Sequence, residues 1–432
     1  MSDTAPFAPF PPPTPPAIPR RQVSITDCGA MEGGITLCTQ AIRTAIAACA
    51  AEGGGRVVIP AGTWLTGAIH LADRIELHLE AGAVLNFSRN PDDYLPVVFT
   101  QRGGIRCHNY SPLIYAQGCA DVAITGFGVL EGRGETWWPW KNAQPGMRAL
   151  FEMGAAGVPV ERRVFGTREA GVRPAFIQPI QCRNVLIEGV TIRNSPSWTL
   201  HPVWCEDLLI RGVSIHNPPE AHNTDGIDLD GCRNVVIEDC HVDTGDDGIC
   251  LKAGRDEDGR AVGIPCENVL VRHCCVKRGH GGFVIGSEVS GGIRNIWAHD
   301  CDFDGTDAGI RIKSRPGRGG YVRQIRCERI TMRNIRKEAV IVTLSYGGEP
   351  LDADFTEIVH VPKVREILLR DIHCDSAAKA IQLDGLPGHP LRRISLHGID
   401  IAAKETMICK DVEELRTSGL DLKVLSHAPL KE

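Results

Sequence analysis

Four short polar clusters stand out from a chain rich in Val, Ile and Leu: Asn223-Thr224-Asp225, Gly245-Asp246-Asp247, Gly279-His280-Gly281 and Arg311-Ile312-Lys313. Asp225 precedes Asp246 by 21 residues, Asp247 precedes His280 by 33, and His280 precedes Arg311 by 31. If each interval is one turn of a solenoid, the clusters fall on one wall. They would then form a cleft holding three carboxylates, an imidazole, a guanidinium and an ammonium. Carboxylates in close company repel, so one keeps its proton while its neighbours stay ionised. A protonated acid beside ionised bases is what hydrolysis of a glycosidic bond requires. Arg311 and Lys313 add a seat for an anionic substrate group. Taken singly, each cluster is weak, because Asp-Gly and Asn-Asp pairs often serve turns, and Asp228 and Asp230 read better as turn formers. Turn chemistry does not account for four clusters in phase.

The solenoid is legible in the repeats. QCRNVLIEGVTI from Gln181, WCEDLLIRGVSI from Trp204, GCRNVVIEDCHV from Gly231, PCENVLVRHCCV from Pro265 and GIRNIWAHDCDF from Gly292 align on an apolar triplet after a polar pair. Further copies start at Arg326, Lys363 and Leu391. Each unit reads as two short strands bounded by Gly, Asn, Asp or Pro, and units recur every 23 to 37 residues. A β-branched composition without an i, i+3, i+4, i+7 stripe excludes helical repeats and leaves a parallel β-helix. Equivalent residues would stack, so Cys182, Cys205, Cys232 and Cys266 form one expected ladder and Cys240, Cys274 and Cys301 another; both read as small core hydrophobes. Residues Ile35 to Ala51 read as an amphipathic helix capping the open first coil. Residues 135–175 break the period as a long loop excursion, and loops of that length are usually functional. Residues 1–21, with FAPFPPPTPPAIPRR, read as a disordered Pro-rich leader before a single domain spanning 22–432.

The bulk numbers narrow the function class. A formal net charge of −6 argues against nucleic acid, and no run of 18 apolar residues is present to cross a membrane. The odd count of 17 cysteines and the lack of a C-x-x-C pair point to free thiols rather than zinc. With no signal peptide in the leader, a cytoplasmic location is expected; a periplasmic or secreted protein whose signal has been removed is the alternative. Oligomeric state is left open.

The clusters resemble the signature of the polygalacturonases of glycoside hydrolase family 28: N-T-D, G-D-D, G-H-G and R-I-K occur in order within NTDGIDLDGC, TGDDGICLKAG, GHGGFVIGSEVSGG and GIRIKSRPGRGG. The resemblance runs from Ile25 to Ile401, and SPSWTLHPV and GRDEDGR are similar to the bacterial exo-polygalacturonase branch. It implies an all-β, right-handed parallel β-helix that hydrolyses α-1,4 bonds of homogalacturonan or oligogalacturonides with inversion, without cofactor or metal. By the same resemblance, Asp246 would be the general acid, Asp225 and Asp247 would activate water, and His280 would tune the acid's protonation. Arg311 and Lys313 would bind the sugar carboxylate after the scissile bond, and Tyr346 would stack on substrate. Asn223 would orient a sugar hydroxyl or end a strand. Exo action is expected if the 135–175 excursion closes one end of the cleft, with an endo-acting enzyme as the alternative. A calcium-dependent lyase and a non-catalytic glycan-binding solenoid are weaker readings. One tension stands: inversion usually needs acid and base roughly 6.5–9.5 Å apart, whereas adjacent coils lie about 5 Å apart.

Overall fold

A computed structural model describes residues 7–143, 145–347 and 359–425. Its strands stack coil upon coil in parallel register, as the repeats require. Arg183–Glu188, Glu206–Arg211, Arg233–Glu238 and Cys266–Arg272 are successive rungs of one wall, with Val185, Leu208, Val235 and Val269 in line. Those side chains point inward and are at least 95% buried. The polar pair of each repeat has its own purpose. Asn184, Asp207, Asn234, Asn268 and Asn295 take the left-handed conformation that Asn and Asp tolerate, and Asn295, Asn268 and Asn234 pass amide hydrogen bonds down the column to Asp207. Both cysteine ladders are buried in the core, and all seventeen cysteines are free thiols. Cys205 and Cys232 donate to carbonyls of the preceding coil at 3.3 and 3.2 Å, which satisfies thiols held away from water.

The front wall positions the polar clusters. It contains β1 (Ile227–Asp230), β2 (Asp247–Lys252), β3 (Gly281–Ile285), β4 (Ala308–Lys313) and β5 (Glu338–Thr343), paired in that order. Every residue of β2 is buried, because one face packs on the core and the other lies beneath the cleft.

The ends and excursions depart from expectation in instructive ways. Helix α1 spans Thr39–Ala51 and turns Ala41, Ile42, Ala45, Ile46 and Cys49 onto the first coil, but it starts later than Ile35. Ile35 is 86% exposed, and Leu37 is still bridged to Leu65, so the chain enters the helix only after leaving that contact. Residues Phe7–Arg21 do not match the expected disordered leader. Ala8 exchanges backbone hydrogen bonds with the Asn295 side chain at 2.8 and 2.9 Å, and Phe7 packs against Trp297. Phe10 and Ile18 cover an outward column of Ala123, Leu186, Leu209 and Val236. A Pro-rich segment has little entropy to lose, and the column is apolar surface that would otherwise face water.

The 135–175 excursion is folded rather than open loop. It carries α2 (Pro145–Ala155) and buries Trp137 completely against Tyr94, Tyr110 and Trp140. The Trp138 indole donates to the Ser195 carbonyl at 2.8 Å. Trp137 therefore acts as packing under the excursion and is not available to a sugar. Arg163 anchors the excursion to buried Asp258 of α3 (Asp256–Val262) at 2.7 Å.

Candidate active site

Asp225 sits just before β1, Asp246 and Asp247 at the start of β2, and His280 just before β3. Parallel stacking brings them together, as the spacing predicts: one carboxylate oxygen from each of Asp225, Asp246 and Asp247 lies within 4.8 Å of the others. Arg311 and Lys313 reach the same place differently. Gly281 is level with Ala308, so both cations lie further along β4 than the position beside His280. Their long side chains close the gap: Lys313 Nζ is 2.6 Å from Asp247 Oδ2, and the Arg311 guanidinium is 3.4 Å from Asp247 Oδ1. The Tyr346 ring lies 4.9 Å from Lys313 Nζ on the cleft.

Around Asp246 the contacts favour the ionised form. His280 Nδ1 is 3.0 Å from Oδ1, the Asp247 N–H donates to Oδ1 at 2.9 Å, and the Asn223 N–H donates to Oδ2 at 3.2 Å. Burial pushes this carboxyl up, yet the His280 hydrogen bond and charge, with Lys313, bring it below the usual carboxylate range. The same hydrogen bond raises His280 above its ordinary value against the opposing effect of burial. Asp225 is the opposite case. Burial, then Asp228 and Asp246, push it well above the ordinary value, and its Oδ1 has no hydrogen-bond partner. The surroundings thus pull Asp225 towards its protonated form and Asp246 and His280 towards a charge pair. Asn223 serves both neighbours: its side-chain oxygen accepts from Arg173 at 2.9 Å while its N–H holds Asp246.

Below and beside these groups lies a layer that the motifs did not single out. Lys252, at the end of β2 and 3% exposed, stands 3.4 Å from Asp228, 3.8 Å from Asp225 and 3.5 Å from Glu288. Its ammonium is 4.5 Å from the Trp198 ring centre, and the Arg102 guanidinium is 5.0 Å from the same ring. Asp228 and Asp230 are fully buried within a strand, not turn formers: Asp230 accepts from the Gly254 N–H at 2.7 Å, and Asp228 faces Lys252. The signal for this layer was a lysine inside the apolar strand DGICLK, since a buried ammonium implies buried carboxylates around it.

The clusters line a cavity of about 430 Å³ with Lys141, Trp198, Arg255, Ser287, Arg315 and Arg318. Lys141 comes from the 135–175 excursion, which therefore contributes to the site. The three aspartates are close enough to share a cation, but Asp246 and Asp247 already hold His280 and Lys313.

No helix among the described residues is long and apolar enough to cross a membrane. The chain is 38% identical to an exopolygalacturonase from Thermotoga maritima of known structure, with a TM-score of 0.89 over 95% of this chain and 94% of that one. A "Probable polygalacturonase" of Vitis vinifera is 32% identical over 94% of this chain and 80% of its own length. An "Exo-poly-alpha-D-galacturonosidase" of Dickeya chrysanthemi is 29% identical over 79% of this chain, which spans 60% of that longer protein. Residues 164–419 match the profile of the Glycosyl hydrolases family 28. With an all-β parallel solenoid, the polar clusters gathered at one cleft and these relatives, the chain belongs to glycosyl hydrolases family 28.

Proposed function

We propose that this protein hydrolyses α-1,4-galacturonosidic bonds of homogalacturonan or its oligomers, acting from a chain end and with inversion. The observation that carries this reading is the convergence of three carboxylates with His280 and Lys313 in one cavity, with Arg311 paired to Asp247 beside them. Arg311 and Lys313 hold the carboxylate of the sugar after the scissile bond, and Tyr346 lies against them. Asp246 protonates the glycosidic oxygen, while Asp225 and Asp247 take the proton of the attacking water. Lys313 is one of the charges that keep Asp246 ionised. A substrate carboxylate that engages Lys313 weakens that hold, and a proton can then pass from His280 Nδ1 to Asp246 Oδ1 across their 3.0 Å contact. The close carboxylates fall short of the usual inverting separation of roughly 6.5–9.5 Å, so inversion rests on the likeness to the family and needs its own test.

Exo action is supported by the folded excursion, whose Lys141 borders the cavity, and by the exo-acting relatives. Tri- and tetragalacturonate and polygalacturonate should yield mono- or digalacturonate from the earliest times, with slow loss of viscosity. The first product should be the β-anomer by NMR. Rapid viscosity collapse would make the enzyme endo-acting, and an initial α-anomer would make it retaining.

Lys313→Met should raise KM on galacturonides, and added salt should weaken substrate binding less in the variant than in the intact enzyme. An unchanged KM would remove Lys313 from substrate binding. Chelators should leave turnover intact, since the cations at Asp246 and Asp247 belong to the protein; loss of activity restored by calcium, with an unsaturated product absorbing in the ultraviolet, would favour a lyase. The free thiols suit a reducing compartment, which supports a cytoplasmic location acting on imported oligomers.

A further inference from the structure

The wall that begins with Arg183–Glu188 runs on through Ile293–Asp304, Tyr321–Arg333, Lys363–Asp384 and Leu391–Lys410. One column of that wall starts with alternating charge: Arg183, Glu206, Arg233, Glu267 and Arg294 are level on successive coils. Opposite charges side by side on neighbouring strands stabilise a sheet, and the column uses them, with Arg233 on Glu206 at 2.6 Å and Arg294 on Glu267 at 2.5 Å. After Arg294 the alternation stops. Arg323, Arg365 and Arg392 follow in register, so four arginines lie one strand spacing apart before Glu413 closes the column. The outer two are neutralised, Arg294 by Glu267 and Arg392 by Glu413 at 3.2 Å. The middle two are not. Arg323 has the Tyr321 ring, 5.1 Å from its guanidinium, and neither Arg323 nor Arg365 forms an ion pair among the described residues. The Nε of each is buried without a hydrogen-bond partner, although both side chains are partly exposed. Lys363, level with Tyr321, is exposed and adds a third cation that forms no ion pair among the described residues. Like charges stacked on adjacent strands cost stability, so a column that served packing alone would have continued to alternate. None of Tyr321, Arg323, Lys363 and Arg365 lines the catalytic cavity.

We propose that Arg323, Lys363 and Arg365 form a second, non-catalytic binding surface on the outer wall, which holds a polyuronate chain on the solenoid while the cleft cuts it. The choice of ligand rests on the hydrolase reading above. Polygalacturonate carries one carboxylate per sugar, and the ladder presents a guanidinium on each of two successive coils about 4.8 Å apart. The fork of a guanidinium matches a carboxylate, and a bound chain would supply the acceptors that the unpaired Nε donors lack. Tyr321 is a positioning residue for Arg323. Its ring lies over Gly292, where even a Cβ would approach to 2.4 Å, so the ring that orients the guanidinium is itself fixed.

Replacing both arginines, Arg323→Gln with Arg365→Gln, should raise KM on polygalacturonate about fivefold or more at low salt, the scale of two partly exposed charged contacts. Turnover number on the polymer and all kinetics on trigalacturonate should stay unchanged, and the difference on the polymer should fade as salt is added. A charge-matched control, Arg329→Gln with Arg333→Gln, removes two guanidiniums already paired with Asp300 and Asp302 and should leave KM on the polymer as it was. An unchanged KM in the first double variant, an equal rise in the control, or a parallel loss on trigalacturonate would overturn the proposal. Binding can also be read without turnover, by the retardation of Asp246→Asn enzyme in native gels containing polygalacturonate. That retardation should weaken when Arg323 and Arg365 are also replaced, and retardation that stays the same would overturn the surface while leaving the hydrolase reading intact. No hydrolysis of polymer or trigalacturonate by the intact enzyme would instead defeat the hydrolase reading, with the gels still deciding the surface.

Discussion

Replacing Asp246 by Asn is expected to lower kcat on trigalacturonate by ~10²-fold or more, the usual worth of a positioned general acid, with little change in folding stability. The substitution preserves shape, although its single amide oxygen can accept from only one of the Asn223 and Asp247 N–H groups that Asp246 holds through separate oxygens. It removes the proton carrier beside His280. The loss should shrink with an aryl galacturonide, because a good leaving group needs no protonation. Retention of more than about a tenth of kcat on trigalacturonate would defeat the assignment. The opposite shifts of Asp225 and Asp246 offer a definite second outcome. Burial and the neighbouring carboxylates push Asp225 well above its ordinary value. If Asp225→Asn is the variant rescued by the aryl leaving group, the two aspartates exchange roles. The pH profile is a further check. His280 is raised above its ordinary 6.5 by Asp246, so its charge is present below that raised value. Activity that depends on it should fall as pH rises through a midpoint above 6.5.

Lys252→Met should be the most damaging single change to stability, costing about 3–5 kcal/mol at pH 8, because it strands buried carboxylates without their cation. Asp228 is fully buried, and neither of its oxygens has a hydrogen-bond partner. Burial and the neighbouring Asp247 and Asp246 push it up to about 7, while Lys252 pulls it down. For a carboxyl raised in the folded state, the stabilising contribution is complete below the unfolded value of about 3.9 and is lost as pH rises through the folded value. Without Lys252 that folded value rises further. The deficit should therefore be large at pH 8 and should narrow towards pH 5, as the carboxyls take up protons. Urea denaturation of intact and variant proteins at both pH values measures it. A deficit below about 1 kcal/mol at pH 8, or one that grows on acidification, would show that Lys252 does not carry the layer.

Much of this protein is determined by its sequence alone. A unit of two short strands, with an apolar triplet and an Asn or Asp that tolerates the left-handed conformation, has one efficient way to bury its face, which is to stack on its neighbour. Periodicity then places Asp225, Asp246, Asp247 and His280 together, because each interval closes one coil and strand spacing does the rest. The cysteine ladders follow from the same arithmetic. Tertiary structure decided whatever depends on side-chain reach or on parts of the chain outside the repeat. Arg311 and Lys313 are out of step with His280 and reach Asp247 only through long flexible side chains, which spacing cannot express. The leader looked disordered by composition, but an apolar column far along the chain gave it a surface to cover. The ring contacts of Trp137 with Tyr94, Tyr110 and Trp140 make it core, which no repeat spacing expresses. The buried layer of Lys252, Asp228 and Glu288 has no spacing signature, because its members are joined by charge in a medium of low dielectric rather than by a repeat. That layer also shifts Asp225 away from its ordinary value, since a carboxyl's acidity depends on its burial and its neighbours' charges, and both exist only once the coils have stacked.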